Sequence, residues 1–302
     1  MKISIITVCR NAKHLLEKTI QSVSAQTYPD IEYLMIDGAS TDGTPDLALQ
    51  YQDYIHTFIS EPDGGIYEAM NKGIHRASGD FIYFMNADDF LIHENVIQQV
   101  VDFLNQHPEC DFSYGNLQVR HRHGEPTIHC PPEPAKILDE MLAGCLPHQA
   151  SFTRQQVFST VGAFNPRYRI AADYDWFLRL ILVESLKIYS MPITVASYNA
   201  VGASTNWQNL LPEKFEIQNQ FPPYQRQAWL LKRIETYQQE IIKLRSRDLE
   251  LSRLVGSDST LNTAVLLEQL QEAHDTIEAM KTSKFWQLRS AWLRLKNKLK
   301  KV

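Results

Sequence analysis

The feature that most limits the fold is a strict alternation near the N-terminus. Short apolar runs at 3–8, 31–36, 54–60 and 81–85 are separated by stretches with helical apolar spacing at 14–26, 45–52, 66–77 and 95–106. Runs of five or six residues, rich in Ile, Val and aromatics, read as strands buried on both faces, and intervening helices then cover both sides of a sheet. This predicts an α/β domain with a mostly parallel sheet flanked by helices. In such sheets ligands bind beyond the carboxyl ends of the strands. Asp37, Asp63 and the pair Asp88-Asp89 all follow apolar runs at such ends.

Composition sets the class. Of 302 residues, 44% are hydrophobic and 22% charged, as in globular domains, and the length suits one large domain plus an appendage. The net charge of −5 splits unevenly: residues 281–302 carry +8 and residues 1–280 carry −13. An acidic body argues against a nucleic-acid partner, and a basic end implies a partner of its own. Four cysteines without a CxxC spacing argue against structural zinc and a disulfide framework and predict a reduced, cytoplasmic setting. The first apolar run lacks the length and cleavage site of a signal peptide, and no run reaches the ~18–20 residues of a membrane span.

Two adjacent carboxylates repel, so Asp88-Asp89 needs a reason to stand together. A hard divalent cation supplies one. Mg²⁺ takes one or two carboxylates and completes its shell with substrate phosphates, so the pair reads as an Mg²⁺ or Mn²⁺ site that neutralises a departing diphosphate. The same residues also read as a polar turn before a helix. Asp37 beside Gly38 can accept hydrogen bonds from a base or ribose, or cap the helix after Gly43. Thr7, Cys9 and Arg10 leave the first strand at the same sheet edge, Asp63 lies in a Gly-Gly turn, and Lys72 either reaches a phosphate or is a solvated charge. No glycine-rich basic loop follows the first strand, which disfavours a nucleotidyltransferase, and no GxGxxG follows it, which disfavours a dinucleotide oxidoreductase.

After residue ~110 the regular alternation stops. Residues 111–122 read as a strand or hairpin, 123–134 as a proline-rich loop, 135–144 and 155–162 as short helices, 147–153 as a strand and 186–198 as an edge strand. The helix at 171–184 carries Asp173 and Asp175, whose two-residue spacing points them ~200° apart, so only one faces a given cleft. Asp175 stands i,i+4 from Arg179 and can pair with it. Trp176 reads as core or as a platform for a sugar ring.

The ordered set Ser4-Ile5-Ile6-Thr7-Val8, Ile36-Asp37-Gly38-Ala39-Ser40-Thr41-Asp42-Gly43-Thr44 and Gly79 to Asp89 resembles family 2 glycosyltransferases. The stretch Glu61-Pro62-Asp63-Gly64-Gly65-Ile66-Tyr67-Glu68-Ala69-Met70-Asn71-Lys72-Gly73 is similar to the subset that builds bacterial exopolysaccharide and cell-surface glycans. The resemblance covers 1–205. It implies a single nucleotide-diphospho-sugar transferase domain and transfer of a sugar from a nucleotide-diphosphate donor, with inversion, to a hydroxyl of a growing or lipid-linked glycan. It implies Asp89 on the metal, Asp88 on the ribose or metal, and His148 near the diphosphate or acceptor, where a structural histidine is the alternative. Inversion needs a base opposite the leaving group, typically worth 10²–10⁴-fold; the family pattern places it at Asp173. Two positions depart from the family: Asn86 stands where an aspartate is usual, and Ala172 replaces an acid. A non-catalytic nucleotide-sugar-binding or scaffold protein is the alternative these departures leave open.

Residues 206–302 read as a helical extension. Leu230, Ile234, Tyr237, Ile241, Leu244, Leu251 and Val255 give 227–255 heptad character, and 261–280 repeats it after a hinge at Gly256-Ser257-Asp258-Ser259. Heptads are compatible with a homodimer. In 281–302, Phe285, Leu288, Trp292, Leu295 and Leu299 share one face among basic residues, which suits an anionic membrane surface and a peripheral position on the inner face of the cell membrane. Packing on the chain's own domain or a second subunit is the alternative.

Overall fold

The computed structural model describes residues 1–122, 124–200 and 207–257. The chain divides into two compact units, Met1–Val201 and Gly202–Val302.

The first unit is built on one sheet of nine described strands. β1 (Ile3–Cys9), β2 (Ile31–Asp37), β3 (Thr57–Ser60) and β4 (Phe81–Phe84) form its parallel half, with α1 (Lys13–Ser24), α2 (Thr44–Gln50) and α3 (Ile66–Arg76) as connections. Then come β5 (Phe90–Leu91), α4 (Val96–Gln106), β6 (Phe112–Arg120), β7 (Thr127–His129), α5 (Ile137–Ala143), β8 (Ser151–Arg154), α6 (Val157–Val161), α7 (Ala172–Ile181) and β9 (Ile188–Asn199). The strand order is β3-β2-β1-β4-β8-β6-β9-β5, with β7 hairpinned onto β6. Beyond β4 the sheet is mixed: β8 is antiparallel to β4 and β6, and β9 runs parallel to β6.

All seven residues of β1 are buried, which explains its unbroken apolar run. α1 packs Leu16, Ile20 and Val23, and α4 packs Val96, Ile97, Val100, Val101 and Leu104, each an i, i+3, i+4 stripe. Burying one such side chain stabilises by roughly 1.5–3 kcal/mol. Gly73, inside α3, has a packing reason: a Cβ there would lie 2.5 Å from Ile6 Cγ2. On the same side of the sheet as α3, Trp176, 1% exposed, packs among Phe112, Phe158, Phe164 and Phe177, and its indole N–H donates to the Gly162 carbonyl at 2.8 Å. It is core.

The expected edge strand is corrected. β9 pairs β6 on one side, and β5 covers Ala196 and Ser197 on the other, so the strand leaves the edge where it approaches Asp89.

In the second unit, α8 (Trp207–Gln220), α9 (Pro222–Gln225) and α10 (Gln227–Ser257) bury Leu211, Phe215, Ile217, Phe221, Tyr224 and Tyr237. Tyr237, one of the heptad residues, packs its ring on Phe215 and donates its hydroxyl to Gln218, so that position is used within the unit. α10 continues through Gly256 and Ser257, where a hinge is expected. The 261–280 heptads and the basic 281–302 helix lie outside the described residues. Among the described residues no helix is long and apolar enough to cross a membrane.

Candidate active site

The carboxyl ends of β1, β2 and β3 stand in register as Cys9, Asp37 and Ser60. Asp37 is wholly buried and accepts hydrogen bonds from the Ser40 amide at 2.9 Å, the Ser60 hydroxyl at 2.6 Å and the Ser40 hydroxyl. It does not cap α2; Asp42 accepts the Thr44 amide and hydroxyl instead. Cys9 Sγ lies 3.7 Å from Asp37, and burial, reinforced by that carboxylate, keeps the thiol protonated far above its usual range. Gly38 lets the loops close: a Cβ there would fall 2.7 Å from Asp63 Oδ2 and 3.3 Å from the Arg10 side chain. Arg10 is exposed at this rim.

Two of the expected donor residues have their side chains engaged within the protein. Thr7 is fully buried inside β1, where its hydroxyl accepts the Tyr33 O–H at 3.1 Å. Lys72 faces the turn before α3. Its ammonium donates to the Pro62 carbonyl at 2.9 Å and lies 3.0 Å from Glu61 and 3.9 Å from Glu68, clamping the turn before α3. Asp63 Oδ1 closes the same turn by accepting the Gly65 amide.

The second group follows β4. Asp88 has φ +77°, a left-handed conformation unusual for a non-glycine residue. Its carboxylate accepts from the Asn199 side-chain amide, its carbonyl accepts from Arg120, and the Arg120 guanidinium lies 3.7 Å from Oδ1. Asp89 turns inward, 4% exposed; its carboxylate accepts the Asn199 backbone N–H at 3.0 Å, and its carbonyl accepts the Thr19 hydroxyl. Burial raises the Asp89 carboxyl to about 6, although Asn199, His148, Arg120 and Gln149 all oppose the rise.

The third group surrounds Asp173 in the first turn of α7. Oδ1 accepts the Tyr174 amide at 2.8 Å and, at 2.9 Å, shares the single Tyr67 O–H with the Ile170 carbonyl at 2.6 Å, and Oδ2 faces His148 Nδ1 at 3.2 Å. His148 Nε2 in turn takes the Asn86 amide at 2.8 Å, which leaves the Nδ1 proton directed at the carboxylate. Burial alone would raise Asp173; His148, Tyr67 and the Tyr174 N–H overcome it and hold the acid below the usual carboxylate range. Asp175 points elsewhere and pairs with Arg179 at 2.9 Å, while Arg179 also donates to the carbonyls of Val161 and Ala163. A cavity of about 300 Å³ opens beside these groups, walled by Arg10, Asp63, Gly64, Tyr67, Tyr168 and Arg169 among others.

The model of glycosyl transferase family 2 matches residues 4–160. The chain belongs to glycosyl transferase family 2. It is 34% identical over 210 residues to a PGL/p-HBAD biosynthesis glycosyltransferase of Mycobacterium tuberculosis, covering 67% of this chain and 78% of that protein. In fold it is similar to the mannosyltransferase PcManGT of Pyrobaculum calidifontis, solved with GDP-Man and Mn²⁺ (TM-score 0.62, 16% identity, 92% and 86% of the two chains). It is also similar to TarS 1-349 of S. aureus, solved with UDP-GlcNAc (TM-score 0.61, 12% identity, 93% and 91%).

In this family 2 chain, Asn86, whose amide ties His148 to the Asp88-Asp89 turn, stands at the departure from the family pattern. Asn199, Arg120 and Tyr67 touch the candidate acids without having been singled out from sequence. Among the described residues no cluster of three His, Cys, Asp or Glu could enclose a metal. A cation here would take its protein ligands from Asp88 and Asp89 and the rest from substrate phosphates. The residues fit that role: a buried carboxyl raised to about 6 calls for a positive partner, and the buried Asn86 Oδ1 in the same turn has no hydrogen-bond partner.

Proposed function

We propose that this family 2 member transfers a sugar from a nucleotide-diphosphate donor to a hydroxyl acceptor, a growing or lipid-linked glycan, with inversion at the anomeric carbon and with Mg²⁺ or Mn²⁺. The observation that carries the proposal is Asp173: a partly buried carboxylate, 15% exposed, kept ionised by three donors, as a general base requires. Asp173 takes the proton of the acceptor hydroxyl as that oxygen bonds to the anomeric carbon and the carbon–phosphate oxygen bond breaks on the opposite face. His148 holds Asp173 rather than touching the diphosphate. Asp37, with Arg10 and Asp63 at the rim, receives the nucleoside end of the donor, and Asp88 receives the ribose. Asp89, with Asp88, holds the cation. When bound, the cation supplies Lewis-acid stabilisation of the charge on the leaving diphosphate. The neighbouring folds solved with GDP-Man and with UDP-GlcNAc support the donor class. Residues 281–302 dock the enzyme on an anionic membrane surface, and 227–280 support a homodimer.

The test is Asp173→Asn, made after a thermal-shift screen of UDP- and GDP-sugars with and without Mn²⁺ has identified the donor. The variant is expected to bind that donor with unchanged affinity and to lose transfer. Wild-type turnover in the variant would exclude Asp173 as the base.

A further inference from the structure

We propose that Tyr67, with Asn71 one turn behind it, is a positioning residue for the base, and that this is what the Ile66-Tyr67-Glu68-Ala69-Met70-Asn71 motif does. The inference rests on the reading of Asp173 as that base. Tyr67 and Asn71 are i,i+4 on α3 and so lie on one face. That face grips the irregular segment leading into α7 at both ends. Asn71 forms a reciprocal pair with Phe164, its amide donating to the Phe164 carbonyl at 2.8 Å and its Oδ1 accepting the Phe164 N–H at 2.9 Å. Six residues later, the Tyr67 hydroxyl lies 2.6 Å from the Ile170 carbonyl and 2.9 Å from Asp173 Oδ1. The Tyr67 ring packs on Phe164 with centroids 5.7 Å apart, so the segment is held by packing as well as by polar contacts. α3 cannot easily shift, because Gly73 sits against Ile6 of β1 and Lys72 fixes the turn before it.

The segment from Phe164 to Ala171 contains no helix or strand, so its path into α7 is set by side-chain contacts, among them those of Tyr67 and Asn71. The three donors to Asp173 come from three places: Tyr67 from α3, His148 from the turn before β8, and the Tyr174 amide from α7 itself. Tyr67 ties the carboxylate to α3 on the parallel half of the sheet, whose strand ends form the donor rim, while His148 ties it through Asn86 to the turn after β4. Tyr67 further lines the cavity shared by Arg10 and Asp63 on that rim and by Tyr168 and Arg169 on the segment. The α3 face therefore sets the distance between the base and the donor.

Tyr67→Phe removes the hydroxyl and leaves the ring. It is expected to lower kcat about tenfold, the size of one hydrogen bond to a charged group, with the donor KM unchanged. The acid limb of the kcat–pH profile is expected to move to higher pH, because the carboxylate keeps only His148 and the Tyr174 amide against burial. Asn71→Ser, which releases the segment at its other end, is expected to lower kcat with the same unchanged donor KM. Wild-type kcat and acid limb in Tyr67→Phe, with Asp173→Asn inactive, would overturn the positioning role alone. An active Asp173→Asn would overturn the reading beneath it. If kcat and donor KM of Tyr67→Phe worsen together with no shift of the acid limb, Tyr67 is only a packing residue and the proposal fails.

Discussion

Replacing Asp89 by Asn is expected to make the metal-free protein more stable at pH 7.5, not less. The side chain is 4% exposed, and burial lifts its carboxyl to about 6 from the ordinary aspartate value of 3.8. A group whose pKa is higher in the folded state binds its proton more tightly there, so folding is favoured at low pH and opposed once the group ionises. Two pKa units correspond to roughly 3 kcal/mol of opposition above pH 6, an upper figure since asparagine forfeits part of what the ionised form gains from the Asn199 amide. In a domain of this size that is a rise of several degrees in Tm at about 2–4 °C per kcal/mol. The assay is thermal unfolding from pH 4 to 8 in EDTA. The variant is expected to exceed the wild type at pH 7.5, and the two curves to converge as pH falls through 6 toward 4, where the wild-type carboxyl is neutral. Adding Mn²⁺ with a donor nucleotide is expected to raise the wild type and leave the variant nearly unmoved. A variant less stable than the wild type at every pH, or equally stabilised by Mn²⁺ and nucleotide, would refute the assignment of Asp89 as a strained carboxylate awaiting a cation.

Two further outcomes follow from the same structure. His148→Phe keeps a ring but removes the Nδ1 proton facing Asp173; the Asp173 pKa is expected to rise, moving the acid limb of kcat to higher pH and lowering activity at the acid end of the profile, measured by product formation against pH. Glu32 is held down to about 2, since burial is outweighed by the Ser4 and Ser78 hydroxyls, the Ser78 amide and Lys2; Glu32→Gln is expected to destabilise the fold near pH 7 by about 2–3 kcal/mol in urea titrations, with the difference from wild type shrinking as pH falls from 4.5 toward 2.

The parallel half of the fold was legible because β1, β2 and β4 are buried on both faces and therefore read as mostly apolar runs. The divergence of Asp173 and Asp175 was legible because helical geometry turns the two away from each other and the Arg179 partner of Asp175 stood four residues on, whereas the choice of Asp173 as base came from the resemblance. The direction of the Thr7 hydroxyl was not legible, for the reason that made β1 easy to see: a strand buried on both faces has no alternation to show where a hydroxyl points. The contacts of Lys72 were not legible either, because its acceptors include a backbone carbonyl, Pro62, which no side-chain pattern reveals. Asn199 and Arg120 were not legible at all. They reach the acidic pair through the pairing of β6 with β9, and that register joins positions 110 and 32 residues from the aspartates they touch. His148 was singled out, but its partner was not, since the contact with Asp173 depends on where two irregular segments meet.

The most direct measurement is the anomeric configuration of the product, read by proton NMR on the first molecules released. A base at Asp173 acting opposite the departing diphosphate predicts a product of opposite configuration to the donor, β from an α-linked nucleotide sugar. A product that keeps the donor's configuration would contradict a single displacement and remove Asp173 from the role given to it here.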